Sequence, residues 1–388
     1  MMNPKHYCEK SCCGFEGLPF YWHPLEDYRN NSFPEVLPFE LFYDESAGLL
    51  RQRLNQKVKE VLKSAYKEGC EMVGLMEDKG IGYSYAEDFL GFIDRTIGLK
   101  NIAGKEILEI GCGTGYLLHR LNLLKGKVLG YEPGFAKIGK YNIPIVEKFF
   151  PSQEIKDRKF DIIIAYGLLE HLTDMDKILS AIHESLKDSG SLLLSVPDCK
   201  DYIDNGDISM LFHGHFSYFT MDSFRNLLVT KDYAVHGIER ANFGGALYGF
   251  LKKDRGTSQR PKAKEKHKIL GDVFGEIDNN IEKTQSFFKR YIGRKIGIYM
   301  PIRALNILFL CKDLIKESNI TLRFFDDSDS LTGRYLPGFE IEIEDRNFLI
   351  AAPPDVILVC SYSFGKKVVR ELREVLPKRV EIVSINDL

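Results

Sequence analysis

No run of 18 or more apolar residues occurs in the 388-residue chain, which excludes a membrane-spanning helix. The opening MMNPKHYCEKSCCG lacks the apolar stretch of a secretory leader. An excess of one charge is also missing. The 53 Lys and Arg balance 55 Asp and Glu, so the basic face that a nucleic-acid partner demands is not expected. Tryptophan is nearly absent, with Trp22 alone. The eight cysteines follow no spaced framework, and a reduced, cytoplasmic protein is expected. Their one cluster, Cys8, Cys12 and Cys13, is spaced C-x3-C-C. A structural zinc site wants four ligands, usually in paired knuckles. His6 or His23 would have to complete the set, and no second pair follows. Phe15 stands where a C-x3-C-x2-C radical cluster needs its third cysteine. Reduced thiols without metal, in a small irregular cap, are the expectation.

What is present points to a layered fold. The length allows two or three domains, and 44% apolar residues support a real core. Residues 1 to about 45 read as irregular, and about 44 to 76 as helical, with apolar residues three and four apart. A second helix is predicted from Ser84 to Ile97, where Ser84 and Glu87 fit a capping box. The expected N-terminal irregular and helical cap is 1–80. From 81 to 253 strands alternate with helices: KEILEIGC, KVLGYEP, FDIIIAYG, SLLLSVPD, AVHGIER and ALYGFLKK are strand-like. The helix in DMDKILSAIHESLKDSG is expected to stop at Gly190. That alternation predicts a parallel sheet covered on both faces. An exposed connector and one helix fill 254–291, and 292–388 reads as a smaller C-terminal α/β domain. Within it Asp326, Asp327 and Asp329 are an acidic strand end rather than a cation loop, since the Gly and Glu of an EF-hand are missing.

The glycine turn carries the first chemistry. Glu109-Ile-Gly111-Cys-Gly113-Thr-Gly115 closes a predicted strand and opens a helix. Glycines there let a backbone approach a ligand closely, and the carboxyl ends of parallel strands are where open α/β sheets bind ligands. The spacing is G-x-G-x-G. Tyr116 occupies the third dinucleotide glycine position, and no Lys-Ser/Thr ending makes a phosphate loop. Glu132, before Pro133 at the end of the next strand, offers two acceptor oxygens to a ribose diol.

With FDIIIAYGLLEHL following, this order resembles the class I S-adenosylmethionine-dependent methyltransferases. The resemblance implies a Rossmann-like seven-stranded sheet and S-adenosyl-L-methionine as cofactor. It implies that Glu109, Gly111, Gly113, Gly115 and Tyr116 pass beside the methionine and ribose, that Glu132 and Pro133 hold the ribose, and that Tyr166 and Leu168 lie beside the cofactor after the fourth strand.

A later loop, LFHGHFSYFT, is similar to the acceptor loop of sugar C-methyltransferases that act on nucleotide-linked keto-sugars. The likeness continues into FFDDSDSLTGRYLPGFEIEI and PPDVILVCSYSFGKKVVRELRE. It implies a small-molecule acceptor, a nucleotide-linked sugar. That group usually reads Tyr-His-Glu-His in this loop, whereas Phe212, His213, Gly214 and His215 stand here. His215 is expected to be the general base, His171 of LLEHL to orient substrate or share the proton, and His213 to be a further candidate. An H-x-H pair in a strand would put both histidines on one face. The alternatives left open are O-methylation of a non-sugar acceptor and a non-catalytic S-adenosylmethionine-binding subunit.

Overall fold

The computed structural model describes residues 6–8, 11–45, 47–68, 76–229, 233–253, 270–362 and 365–388. The chain divides into two compact units. One comprises Phe42–Lys200 with Gly214–His267, the other Met1–Leu41 with Asp201–His213 and Lys268–Leu388.

In the first unit the alternating pattern becomes one seven-stranded sheet: β1 (Glu106–Ile110), β2 (Lys127–Tyr131), β3 (Ile145–Val146), β4 (Phe160–Tyr166), β5 (Leu186–Pro197), β6 (Tyr233–Arg240) and β7 (Ala246–Lys253). The order is β3-β2-β1-β4-β5-β7-β6. The β1 to β5 pairings are parallel, and β7 runs antiparallel to both its neighbours. Side chains alternate between two covered faces, as a two-residue period requires. Leu108, Ile163 and Leu194 enter one core, and Ile107, Ile162 and Leu193 the other. Helix α1 (Gly80–Thr96) lays Ala86, Phe89, Leu90 and Ile93 on the second core, spaced three and four apart. Burying Phe89, Leu90 and Ile93 contributes about 1.5–3 kcal/mol each.

Three local expectations are corrected. The α1 helix starts at Gly80, and no side chain caps it, so Ser84 begins nothing. The stretch expected to be helical from 44 to 76 holds a strand, Leu49–Gln52, before the helix Gln56–Glu68, whose first turn is capped by Asn55 Oδ1 accepting from the Val58 amide at 2.9 Å. Helix α2 (Met175–Ser185), capped by the Asp174 side chain, ends before Leu186, where β5 begins. Gly190 is thus inside a strand. A Cβ there would come within 2.9 Å of Leu186 and of the Lys187 carbonyl, so the glycine serves a tight backbone approach and not a helix stop.

The second unit has five parallel strands: β8 (Lys295–Tyr299), β9 (Thr321–Phe325), β10 (Ile343–Glu344), β11 (Val356–Val359) and β12 (Glu381–Ser384), ordered β10-β9-β8-β11-β12. Its long helix runs Leu270–Arg290, and the connector expected before it lies outside the described residues. The N-terminal segment is strands, not irregular chain: His6–Cys8, Cys12–Pro19 and Val36–Asp44 are successive neighbours in one sheet. It joins this unit through a Leu25–Tyr335 bridge and Phe15 packed on Phe274. Cys8 and Cys13 face each other across two strands and are disulfide-bonded, which corrects the expectation of reduced thiols at these two positions. The acidic strand end is held by cations and hydroxyls of the protein: Asp327 accepts from Tyr299 Oη at 2.6 Å and pairs with Arg346. Among the described residues, no group of three or more His, Cys, Asp or Glu is placed to hold a metal ion, and no helix is long and apolar enough to cross a membrane.

Candidate active site

The glycine turn follows β1 directly. Gly111, Gly113 and Gly115 have φ of 74°, 52° and 84°, the left-handed region where other residues are strained. The Gly111 and Cys112 amides donate to the Tyr131 carbonyl at 2.7 and 3.2 Å, which stitches the turn to the end of β2. Leu168 caps it from the other side, 3.5 Å from where a Gly111 Cβ would stand. Glu132, just past β2, accepts from the amides of Gly113 (3.2 Å) and Gly134 (3.1 Å). Burial raises its pKa, and those two amides oppose the rise. Pro133 is half-buried beside it.

Glu109 points inward at the end of β1. It is 3% exposed, and its Oε2 has no hydrogen-bond partner. Burial, then the charge of Glu132, pushes its pKa up to about 8. Tyr116 is committed to packing: its hydroxyl accepts from Arg120 at 2.8 Å and its ring lies against Tyr141. Tyr166, half-buried at the end of β4, meets Phe89 edge-on at 4.9 Å.

The three candidate histidines part company. His171 and His215 come together, their ring centroids 4.8 Å apart and nearly perpendicular. His171 Nδ1 lies 2.8 Å from the Gly214 carbonyl and 3.3 Å from the Tyr66 hydroxyl. A carbonyl only accepts, so Nδ1 carries the proton and Nε2 is left as the basic nitrogen. Burial lowers the pKa of this ring and the Gly214 bond partly restores it. His213 does not join them. It belongs to the other unit, 2% exposed between Phe20 and Phe39, with Nε2 3.2 Å from the Leu37 carbonyl. Burial pushes its pKa down to about 4. The one-face arrangement that an H-x-H pair would have in a strand does not arise: only Ser217–Tyr218 of this segment is a strand, and the two rings lie in different surroundings.

Two residues escaped the sequence reading. Tyr66 reaches His171 from the helix Gln56–Glu68, 105 positions away, and no local motif marks it. Glu170 was in view within GLLEHL but was not singled out. It is buried, its Oε2 is unpartnered, and its Oε1 stands 4.0 Å from His171 Nε2. Its backbone carbonyl accepts the Phe216 amide at 2.6 Å, which fixes the histidine loop to the end of β4.

A methyltransferase-domain family model matches residues 85–236. The C-methyltransferase NovU of Streptomyces niveus is 23% identical over 305 residues, covering 72% of this chain and 71% of that protein. The ubiquinone biosynthesis O-methyltransferase of Rhodopseudomonas palustris is 30% identical over 105 residues, covering 25% of this chain and 42% of that one. Among solved structures, magnesium protoporphyrin IX methyltransferase from Synechocystis with bound SAH is 15% identical, covers 50% of this chain and 94% of its own, and has a TM-score of 0.35.

Proposed function

We propose that this chain, a class I S-adenosylmethionine-dependent methyltransferase, methylates a hydroxyl of a small molecule, a sugar carried on a nucleotide, with a histidine as the base. The residues present fit the cofactor. Glu132 has both oxygens already oriented by amides, which suits a ribose diol. Glu109 has a buried, unpartnered oxygen beside the glycine turn, which suits the amino end of a methionine. Gly111, Gly113 and Gly115 would carry the backbone past it, with Leu168 and Tyr166 at the rim. S-adenosylmethionine supplies an activated methyl on a sulfonium; the protein must align the acceptor, exclude water and remove a proton. Alignment alone is worth roughly 7–11 kcal/mol in favourable cases, and a placed base about 10²–10⁴-fold.

The observation that carries this reading is the His171–His215 pair, with His171 held in one tautomer by the Gly214 carbonyl. We assign proton removal to His171 Nε2, with His215 walling the same space, an exchange of the roles expected from sequence. S-adenosylmethionine would supply the methyl group and keep the sulfur as its thioether, and His171 Nε2 would take the proton that the acceptor oxygen gives up. Phe212 and Gly214 offer neither hydroxyl nor carboxylate for an enolate, which favours oxygen over carbon as the nucleophile.

The first test is calorimetric titration of S-adenosylmethionine and S-adenosylhomocysteine into the protein and into Glu132→Ala. Micromolar binding is expected, weakened at least tenfold in the variant. His171→Ala and His215→Ala are then assayed for methyl transfer to nucleotide sugars. Unchanged turnover in both, with cofactor binding intact, rejects the histidine base.

A further inference from the structure

The loop that lacks a carboxylate lies against a segment that has one. Glu170 follows β4 on the same turn as His171, and its carboxyl is closed off from solvent with Oε2 unpartnered. A buried oxygen left unsatisfied is unfavourable, and a ligand hydroxyl would satisfy it. Gly167 has φ of 59°, and a Cβ there would stand 3.4 Å from Glu170 Oε1. The 4.0 Å between Glu170 Oε1 and His171 Nε2 is too long for a direct hydrogen bond. It is suited to two neighbouring oxygens of one molecule, each bonded to one of the two groups. His171 is the more accessible of the pair, its side chain 23% exposed against 4% for Glu170, so the approach is past the imidazole.

We infer that Glu170 and His171 together read a vicinal diol on the acceptor. Resting on the histidine-base reading above, it adds a substrate class. The hydroxyl that is methylated gives its proton to His171 Nε2, and the adjacent hydroxyl hydrogen-bonds the Glu170 carboxyl and is left unmodified. Glu170 is neutral at pH 7, because burial pushes its pKa up to about 8. It therefore both donates and accepts, matching a hydroxyl that does the same. The groups facing the pair are Tyr166 and Cys199 around Glu170, and Tyr66 and His215 around His171. Burial raises the pKa of Tyr166 and Cys199, which keeps both uncharged at neutral pH.

Two sources share this chemistry, the ring diol of a sugar and a catechol. The test uses the full chain saturated with S-adenosylhomocysteine and titrates UDP-glucose and catechol against counterparts without a vicinal diol on the ring, UDP-3-deoxyglucose and phenol. The wild-type complex is expected to prefer one diol over its counterpart by about tenfold. Which diol shows the preference names the source. Glu170→Ala should abolish the preference while S-adenosylhomocysteine binds as before, and the neutral isostere Glu170→Gln should retain part of it. Absence of any diol preference in a protein that binds S-adenosylhomocysteine overturns the inference and leaves the methyltransferase reading standing. Failure to bind S-adenosylhomocysteine at all would instead strike that reading. A preference that survives in Glu170→Ala removes Glu170 from the site.

Discussion

Glu109 has a carboxyl that burial, and then the charge of Glu132, keeps protonated near neutrality. A cationic cofactor changes that balance. An opposite charge favours the ionised form, so binding S-adenosylmethionine at pH 7 is expected to release a proton from Glu109. Calorimetry in buffers of different ionisation enthalpy reads the release directly, and Glu109→Gln should remove it. The residue scale is also where the sequence was least legible. Glu132 and the glycines announce themselves by order along the chain. The three histidines looked alike in LLEHL and HGH, and only burial separates them: His213 lies between two phenylalanine rings and His171 against a carbonyl. Tyr66 enters from a helix that carries no chemical motif.

The turn between β1 and the helix Tyr116–Leu123 shows how an element sets the site. Gly115 does two jobs there. Its φ of 84° is left-handed, and a Cβ would meet Ile143 at 2.8 Å and Phe135 at 3.3 Å. Gly115→Ala is expected to cost about 1–3 kcal/mol and to weaken S-adenosylhomocysteine binding at least tenfold by moving the turn. Denaturant titration and calorimetry on the same sample measure both. Element types were largely legible, because strands buried on both faces read as unbroken apolar runs such as DIIIAY and SLLLSV. Boundaries were not. The N-terminal strands carry no such runs; their pattern alternates, broken by prolines and glycines, and reads as loop. Gly190 imitates a helix stop, but it is a glycine because Leu186 and the Lys187 backbone crowd it inside β5.

For the whole molecule, buried groups with displaced pKa values make stability depend on pH. Glu109 and Glu170 keep their protons up to about 8 in the fold, against 4.5 for the ordinary side chain. The native state therefore binds more protons between those values, and stability falls as pH rises through them. His213 works the other way. It resists protonation down to about 4, so the unfolded chain takes up the proton first, and stability falls as pH drops below about 6.5. From pH 6.5 to 8 only the glutamates act, and the apo protein's melting temperature is expected to decline. From 6.5 to 4.5 the lowered pKa values of His213 and His171 oppose the two glutamates, and the net decline with rising pH is shallower. Thermal melts across pH 4.5–8, repeated with Glu109→Gln and His213→Leu, check each slope. The first variant should flatten the alkaline side. The second should steepen the gain in stability as pH drops from 6.5 to 4.5, at a constant cost of about 1 kcal/mol for the stranded Leu37 carbonyl.

Gly214 lends its carbonyl to His171, and it is not among the glycines held at positive φ. Its φ makes no demand that only glycine meets, although the position is buried, and the carbonyl that serves His171 belongs to the backbone. Phenylalanine to tyrosine and glycine to glutamate are each within reach of a single base change. The loop is thus two base changes from a Tyr-His-Glu-His sequence. Because the bond to His171 comes from the main chain at position 214, the tautomer it selects is set by the path of the loop and not by the identity of the side chain there.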